Sequence, residues 1–374
     1  MAFVPDPLPP RLEWTGVLGR LTEPLLEAQR QVARLDGMAS RLADAAMIAR
    51  PLRLREATLS SRIENTIATV EEVSLFEAQQ APAREDVVEV SNYDRALEHG
   101  LNSPLPISMR LVREMHRVLL RTVRGENMQP GEIRDIQNYI GDEARGFADA
   151  RFVPPPPGEP LRQCLDEWER FVNRPSEPRL PDLVRVGLAH YQFEAIHPFR
   201  DGNGRIGRLL IALSMCRMRL VSEPLLYVSG HFEAHRQRYY DLMLGVSRDG
   251  EWEAWLRFFL EAVAVQGADA QRRADRLLRL HKEYVDRVTR ARASALLVRL
   301  INQLFRHPAV TAKRACKLLQ VTHPTAQKHI DTLLRHGILE QVSPGHYGRL
   351  YVARGVLRAV ESNVHDDGGD HPPT

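Results

Sequence analysis

The stretch "HPFRDGNGRIGR", residues 197–208, decides how this chain is read. Upstream, residues 183–196 carry a helical apolar pattern. Pro198 cannot continue it and biases His197 away from helical geometry, so His197 sits at a helix terminus facing the loop. From Arg205 onward, Arg-Ile-Gly-Arg-Leu-Leu-Ile-Ala-Leu reads as a new helix start. Between them, Gly202 and Gly204 permit unusual backbone angles and close approach by a ligand. A helix N-terminus presents free N–H groups and the positive end of the dipole, a ready anion site. Arg205 and Arg208 lie three apart and lean over that same end. Two arginines, a nest of backbone N–H groups and a helix dipole suit a polyphosphate. Asp201, the carboxylate of the loop, suits a Mg²⁺ ion shared with phosphate oxygens. His197, with an unperturbed pKa of ~6.5, suits a general base at neutral pH. A lone His-Pro or Gly-x-Gly is ordinary turn chemistry. The whole set together has too few apolar groups for packing and points to an anion site.

The same helix also offers a metal reading. His190, Glu194 and His197 share one face, and Glu194-Ala-Ile-His197 fits the Glu-x-x-His of di-iron bundles. Such sites need two copies, and the chain offers no second.

Working outward, the pattern is mainly α. Residues 20–57 carry Leu and Ala at helical spacing, with Pro51 able to start a new helix. Ser60 or Ser61 can cap a short helix through Glu71 and Leu75, about 60–75. Further helices are expected up to His99, from Ser108 to Leu120, over 161–172 and 231–245, and in a long charged run over 251–293. The Gly- and Pro-rich segment 124–160 differs. Its strand-like runs 135–140 and 150–153 predict a small β-hairpin. From Ser294, helices at 294–306, 311–319 and 324–336, then strands at 338–342 and 349–352, predict a winged helix-turn-helix domain. Gly337 ends its third helix, which Thr322 can cap with Pro324 in the first turn. The organisation expected is an N-terminal helical region 1–106, a core 107–265 with a flap at about 133–156, a linking helix 266–293, a winged helix 294–361 and a polar, disordered tail 362–374.

Among 374 residues the net charge is +3, too small to argue for nucleic acid. Its distribution is uneven: residues 294–361 hold ten Lys/Arg and three Asp/Glu, a balance of +7. The widely spaced Cys164, Cys216 and Cys316 form no disulfide framework or zinc pattern, which suits a reducing cytoplasm. Met-Ala-Phe-Val-Pro-Asp-Pro lacks a basic start and apolar run, so no signal peptide is expected. No apolar stretch is long enough for a bilayer, so no membrane association is expected.

The loop resembles the Fic family motif HPFx[D/E]GNGRxxR at every fixed position. Pro130-Gly-Glu-Ile-Arg, Gln137-Asn-Tyr-Ile-Gly and Phe152-Val-Pro-Pro-Pro-Pro look like the family's flap region, and Tyr239-Tyr240 like its downstream tyrosine pair. The resemblance covers roughly residues 10–290. It implies a Fic-type helical bundle with a small β-hairpin flap, here followed by the winged helix. It also implies AMP transfer from ATP to a Ser, Thr or Tyr hydroxyl of a protein, this protein included, with Mg²⁺. In that reading His197 is the base and Phe199 anchors the loop. Asp201 holds Mg²⁺, and Gly202, Asn203 and Gly204 form the anion hole. Arg205 and Arg208 bind the outer phosphates, and Tyr240 lies near adenine. Ser60-Ser-Arg-Ile-Glu64-Asn65 matches the family's inhibitory pattern [S/T]xxxE[G/N]. A short helix would aim Glu64 at Arg208 and occupy the arginine needed for the γ-phosphate. Some relatives use this glutamate to remove AMP.

The flap edge over 137–140, with Gln137 and Ile140 at its ends, can pair with an extended target segment; the alternative is a surface hairpin that covers the core. Lys328, His329 and Arg335 along the third winged-helix helix fit DNA phosphates, yet winged helices also dock proteins, and the helix carries few base-reading groups. A DNA-binding regulator using the fold as a nucleotide sensor, or a transferase of another phosphate-containing group, are the alternative functions. A homodimer is a further expectation left open.

Overall fold

The computed structural model describes residues 2–42, 44–79, 83–123, 128–141, 150–289, 294–342 and 349–362. An extended N-terminal segment leads into α1 (Trp14–Arg20) and α2 (Thr22–Ala39). Then come α3 (Ala46–Ile63), α4 (Val70–Gln79), α5 (Glu85–Asn102) and α6 (Met109–Leu119). After the flap segment follow α7 (Glu159–Asn173), α8 (Asp182–Ile196) and α9 (Asn203–Arg217). The sequence α10 (Ser229–Ala234), α11 (Arg236–Asp249) and α12 (Trp252–Thr289) completes the body.

α8 and α9 are buried on nearly every side. A helix apolar all round belongs in the middle of a core, and these two pack against each other there. α7 covers α8, while α3, α5 and α6 pack on α9 and α12 lies against α2, α3 and α8. The joint between α8 and α9 therefore lies between two buried, mutually packed helices. Pro198 ends α8 as expected, and Gly202 at φ +75° opens α9.

The C-terminal part contains α13 (Ala295–Arg306), β1 (Ala309–Thr311), α14 (Ala312–Leu319) and α15 (His323–Arg335). β2 (Glu340–Gln341), β3 (Leu350–Val352) and α16 (Arg354–Glu361) finish it. The antiparallel sheet has the order β1-β3-β2, with Ala309 opposite Val352 and Glu340 also opposite Val352. Three helices followed by the strands of this sheet have the order expected of a winged helix. Sequence periodicity missed β1, too short to show alternation, and α16. The buried apolar core is continuous from the body into this part.

Several expected elements differ. Residues 20–57 are two helices, because the chain turns after Ala39. Pro51 does not start a helix but lies inside α3. The helix expected at 60–75 is absent. Ser60 and Ser61 are buried in the last turn of α3, Glu64 is its C-cap, and Asn65 takes φ +64°. An αL asparagine is a common helix stop. α4 begins only after Thr69 and Glu72 close a capping box, with Thr69 Oγ1 accepting from Glu72 N at 3.1 Å and Glu72 Oε2 from Thr69 N at 2.9 Å. The expected helix 231–245 is split between α10 and α11 at His235. The linking helix 266–293 is no separate element, since α12 runs unbroken through residue 266. Among the described residues the flap pairs through an Ile140–Phe152 bridge, and the runs 135–140 and 150–153 form no strands there. Thr322 occupies the N-cap of α15, but its hydroxyl meets that of Thr325 at 3.0 Å instead of capping. The tail beyond 362 and the wing tip 343–348 lie outside the described residues.

Candidate active site

His197 ends α8 in the left-handed region, φ +50°, its N–H donating to Phe193 O at 3.0 Å. That geometry turns the imidazole out of the helix and into a cavity of about 430 Å³. Its Nδ1 lies 3.3 Å from Glu194 O. A carbonyl only accepts, so Nδ1 carries the proton and Nε2 keeps its lone pair. Burial lowers the ring's pKa to about 4, so it is neutral at pH 7.

The loop is braced from several directions. Asn203 accepts from Phe199 N at 2.8 Å and donates to Phe199 O at 2.9 Å, closing the loop on itself. Asn138 donates to the same carbonyl at 3.1 Å. Phe199 is fully buried and stacks on His116 at 3.8 Å. His116 accepts from Gly131 N through Nδ1 at 2.7 Å and donates through Nε2 to Asp201 O at 2.9 Å. Burial lowers its pKa to about 4, so it too is neutral. Arg134 donates from Nε to His197 O at 2.9 Å and from Nη2 to Pro155 O at 2.5 Å, stapling the flap base to the loop.

Gly202 offers no side chain to cap α9, so its first N–H groups stay available to an anion. A Cβ on Gly204 would meet Glu64 Oε1 at 2.3 Å, which places that carboxylate over the start of α9. Arg208 Nη2 donates to Glu64 Oε1 at 2.7 Å and to Ser60 O at 3.0 Å, and Nε donates to Ser60 Oγ at 2.8 Å. Burial is the largest influence and disfavours the charge on Arg208, but Glu64 together with Tyr239, Glu194 and Tyr240 outweighs it and holds the guanidinium firmly protonated. Burial is the largest influence and raises the Glu64 pKa, but Arg208, by charge and hydrogen bond, with Arg205 and Arg236, outweighs it, so the carboxyl stays ionised below the usual range. Arg205 is engaged elsewhere, donating to Glu89 Oε2 at 3.0 Å, with Asp201 Oδ2 3.4 Å away. The same Glu89 oxygen accepts from Thr66 Oγ1 at 2.8 Å.

Tyr240, Met243, Leu244, Ile140 and Phe152 give the cavity its apolar lining. Tyr191 and Ser247, paired through their hydroxyls at 2.8 Å, add a polar spot. Glu194 also lines it, pushed up to about 7 by burial. A second cavity, about 600 Å³ between α3, α5 and α13, includes none of the loop residues. Asp201 is half-exposed and presents one carboxylate beside the anion-binding backbone. That donor set fits a Mg²⁺ completed by phosphate oxygens and water.

The pattern of the Fic/DOC family matches residues 106–215, and that of the Fic/DOC family N-terminal region matches 22–102. The chain belongs to the Fic/DOC family. It is 28% identical over 205 residues to "Protein adenylyltransferase Fic" of Aedes aegypti, and 28% over 203 residues to that of Drosophila melanogaster. Each match covers 53% of this chain and 37% of the relative, so the chain matches little more than a third of their length. Among solved structures, a Fic family protein from Desulfovibrio desulfuricans G20 has TM-score 0.55 at 19% identity, covering 88% of this chain and 95% of that one. Fic-1 from C. elegans has TM-score 0.52 at 25% identity, covering 74% and 79%.

The Fic body thus gathers His197, Asp201, Gly202, Asn203, Gly204, Arg205, Arg208 and Glu64 around one loop, with Tyr240 on the cavity wall. The Asn203 side chain is spent inside the loop, so only its N–H remains for an anion. His190 is occupied: Tyr239 OH donates to its Nε2 at 2.8 Å, and its Nδ1 lies 3.2 Å from Gly207 O. Sequence reasoning missed Glu89, His116 and Arg134. Arg134 carried a signal, a basic residue shortly after the Pro-Gly turn at 130–131. Glu89 and His116 sit in helices 85–102 and 109–119 with no motif to mark them.

Among the described residues no group of three or more His, Cys, Asp or Glu is placed to hold a metal. Nor is any helix long and apolar enough to cross a membrane. Cys164, Cys216 and Cys316 are free thiols.

Proposed function

We propose that this chain transfers AMP from ATP to a hydroxyl of a protein, and that Glu64 restrains the reaction by holding Arg208. The observation that carries this reading is a neutral His197, with Nε2 unprotonated, beside an uncapped helix start and a buried arginine. The target hydroxyl gives its proton to Nε2 as its oxygen bonds to the α-phosphorus. The bond from that phosphorus to the bridging oxygen breaks, and pyrophosphate leaves. The N–H groups of Asn203 and Gly204 and the α9 dipole stabilise charge on the transferring phosphate, and that of Gly202, which donates to Asp201 Oδ1 at 2.6 Å, joins them once Asp201 releases it. When bound through Asp201, Mg²⁺ would offset phosphate charge. Tyr240 and the apolar wall suit adenine.

Arg208 is the expected partner of the γ-phosphate, yet its Nη2 already serves Glu64. ATP must displace that carboxylate or bind without this contact. Arg205 faces Glu89, so its part in phosphate binding is less direct than its place in the motif implies. The flap edge at 137–140 remains the proposed dock for a target segment, with Gln137 bonded to Pro154 O at 2.9 Å. The exposed side of α15, Lys328 and Arg335 included, leaves DNA or protein docking as the proposed role of the winged helix. Removal of AMP through Glu64, and a dimer, stand as further proposals.

The test is intact mass spectrometry after incubation with ATP and Mg²⁺, of the protein and of lysate proteins. Glu64→Gly is expected to yield AMP adducts and Glu64→Gly/His197→Ala none. Adducts that persist without the histidine, or appear only with another nucleotide, would contradict the reading.

A further inference from the structure

The inhibitory turn hangs between two helices, and the winged helix grips both. α13 and α16 pack on α3, which ends at Glu64; β1, β3 and α16 pack on α4, which starts after the turn. Polar contacts fasten this grip at each end. At the far end, Arg50 of α3 donates to both Glu77 carboxylate oxygens of α4, at 3.0 and 2.8 Å. Arg50 also donates to Arg306 O at 2.7 Å and to His307 Nδ1 at 2.9 Å. Arg314 of α14 donates to Glu77 O at 2.6 Å and to the same histidine nitrogen at 2.9 Å. With two guanidinium donors on Nδ1, His307 is a neutral acceptor, and burial and Arg50 lower its pKa to about 3. At the near end, Glu361 accepts from Val70 N, the first residue of α4, at 3.4 Å. Arg354 pairs with Glu71 at 3.2 Å.

These contacts fix the positions of α3 and α4, and so the span that the turn 64–69 bridges. We propose that the winged helix is a clamp that keeps Glu64 seated on Arg208, making Arg314, Arg354 and Glu361 positioning residues for a site they never touch. The proposal rests on the reading that Glu64 restrains the reaction. Loosening either end lets the helices shift, and Glu64 then spends less time on Arg208. The competent fraction of the protein rises, and the apparent affinity for ATP rises with it.

The experiment measures AMP incorporation from labelled ATP in the full chain. Arg314→Ala tests the far end and Arg354→Ala/Glu361→Ala the near end, each with Glu64 and with Glu64→Gly. With Glu64 present, each is expected to raise the rate about fivefold and lower the ATP KM. With Glu64→Gly, the same changes should shift the rate by no more than about twofold, because the restraint they act through is gone. A merely structural role would move both backgrounds alike, and that result would overturn the clamp. So would a fast Glu64→Gly beside clamp variants no faster than wild type. Should Glu64→Gly itself be no faster than wild type, the restraint falls and the clamp falls with it. The two ends are independent, so misfolding of one variant leaves the other to decide.

Discussion

The loop between α8 and α9 and the turn between α3 and α4 meet at Arg208, yet they are held very differently. The loop is braced by groups from two other regions, buried His116 on α6 and Arg134 with half-buried Asn138 in the flap segment, and by its own Asn203. The turn is lighter. The Glu64 side chain is 34% exposed, Asn65 is tied to an exposed Arg236, and Ile67 is 64% exposed. A buried polar network rigidifies as its members are paired, here all but Asn138 Oδ1, whereas a pair with one partner a third exposed is more readily exchanged. The contrast assigns the roles: the loop is prepared for chemistry, and the turn is the part built to give way.

Breaking the loop should have the largest effect. His197→Ala should lower AMP transfer by ~10²–10⁴-fold, the usual worth of a general base, with the thermal midpoint nearly unchanged. Arg134→Ala should act on the fold instead, because it strands the carbonyls of His197 and Pro155. A loss of about 2–4 kcal/mol in chemical denaturation is expected. On the turn side, Thr66→Val removes the hydroxyl bound to Glu89 and leaves Glu64 in place. A rise in rate of about threefold is expected, with a stability loss of about 1 kcal/mol or less.

The smallest effect concerns pH. Because burial places the His197 pKa at about 4, the base form dominates above pH 5 and is lost only as pH falls through that value. In Glu64→Gly, kcat/KM for ATP should vary less than about twofold between pH 6 and 8. An acid limb near ~6.5, the value for a solvated imidazole, would show that the ring is not buried as the loop requires.

The loop was legible because its chemistry is contiguous: proline, glycines, carboxylate and arginines each act within a few residues of His197. The three C-terminal helices were legible from their spacing and the glycine after α15, although β1 and α16 were too short to read. The turn was only half legible. The Ser60–Glu64 spacing pointed at Arg208, but the periodicity of 60–75 hid the break, for which Asn65 and the Thr69–Glu72 capping box were the local signs. Glu89 was invisible because its importance arises from α5 lying on α9, a tertiary fact with no local pattern. The same holds for His116, whose apolar helix face gives no hint that both ring nitrogens are engaged.

The central claim is that Glu64 occupies the arginine a nucleotide needs. Its most direct measurement is kcat/KM for ATP in AMP incorporation, compared between wild type and Glu64→Gly under identical Mg²⁺ and pH. The account predicts a variant faster by about 10–100-fold, the range of a strong coupling between two ligands of one site. Equal values would contradict it and leave the Glu64–Arg208 pair a structural contact only.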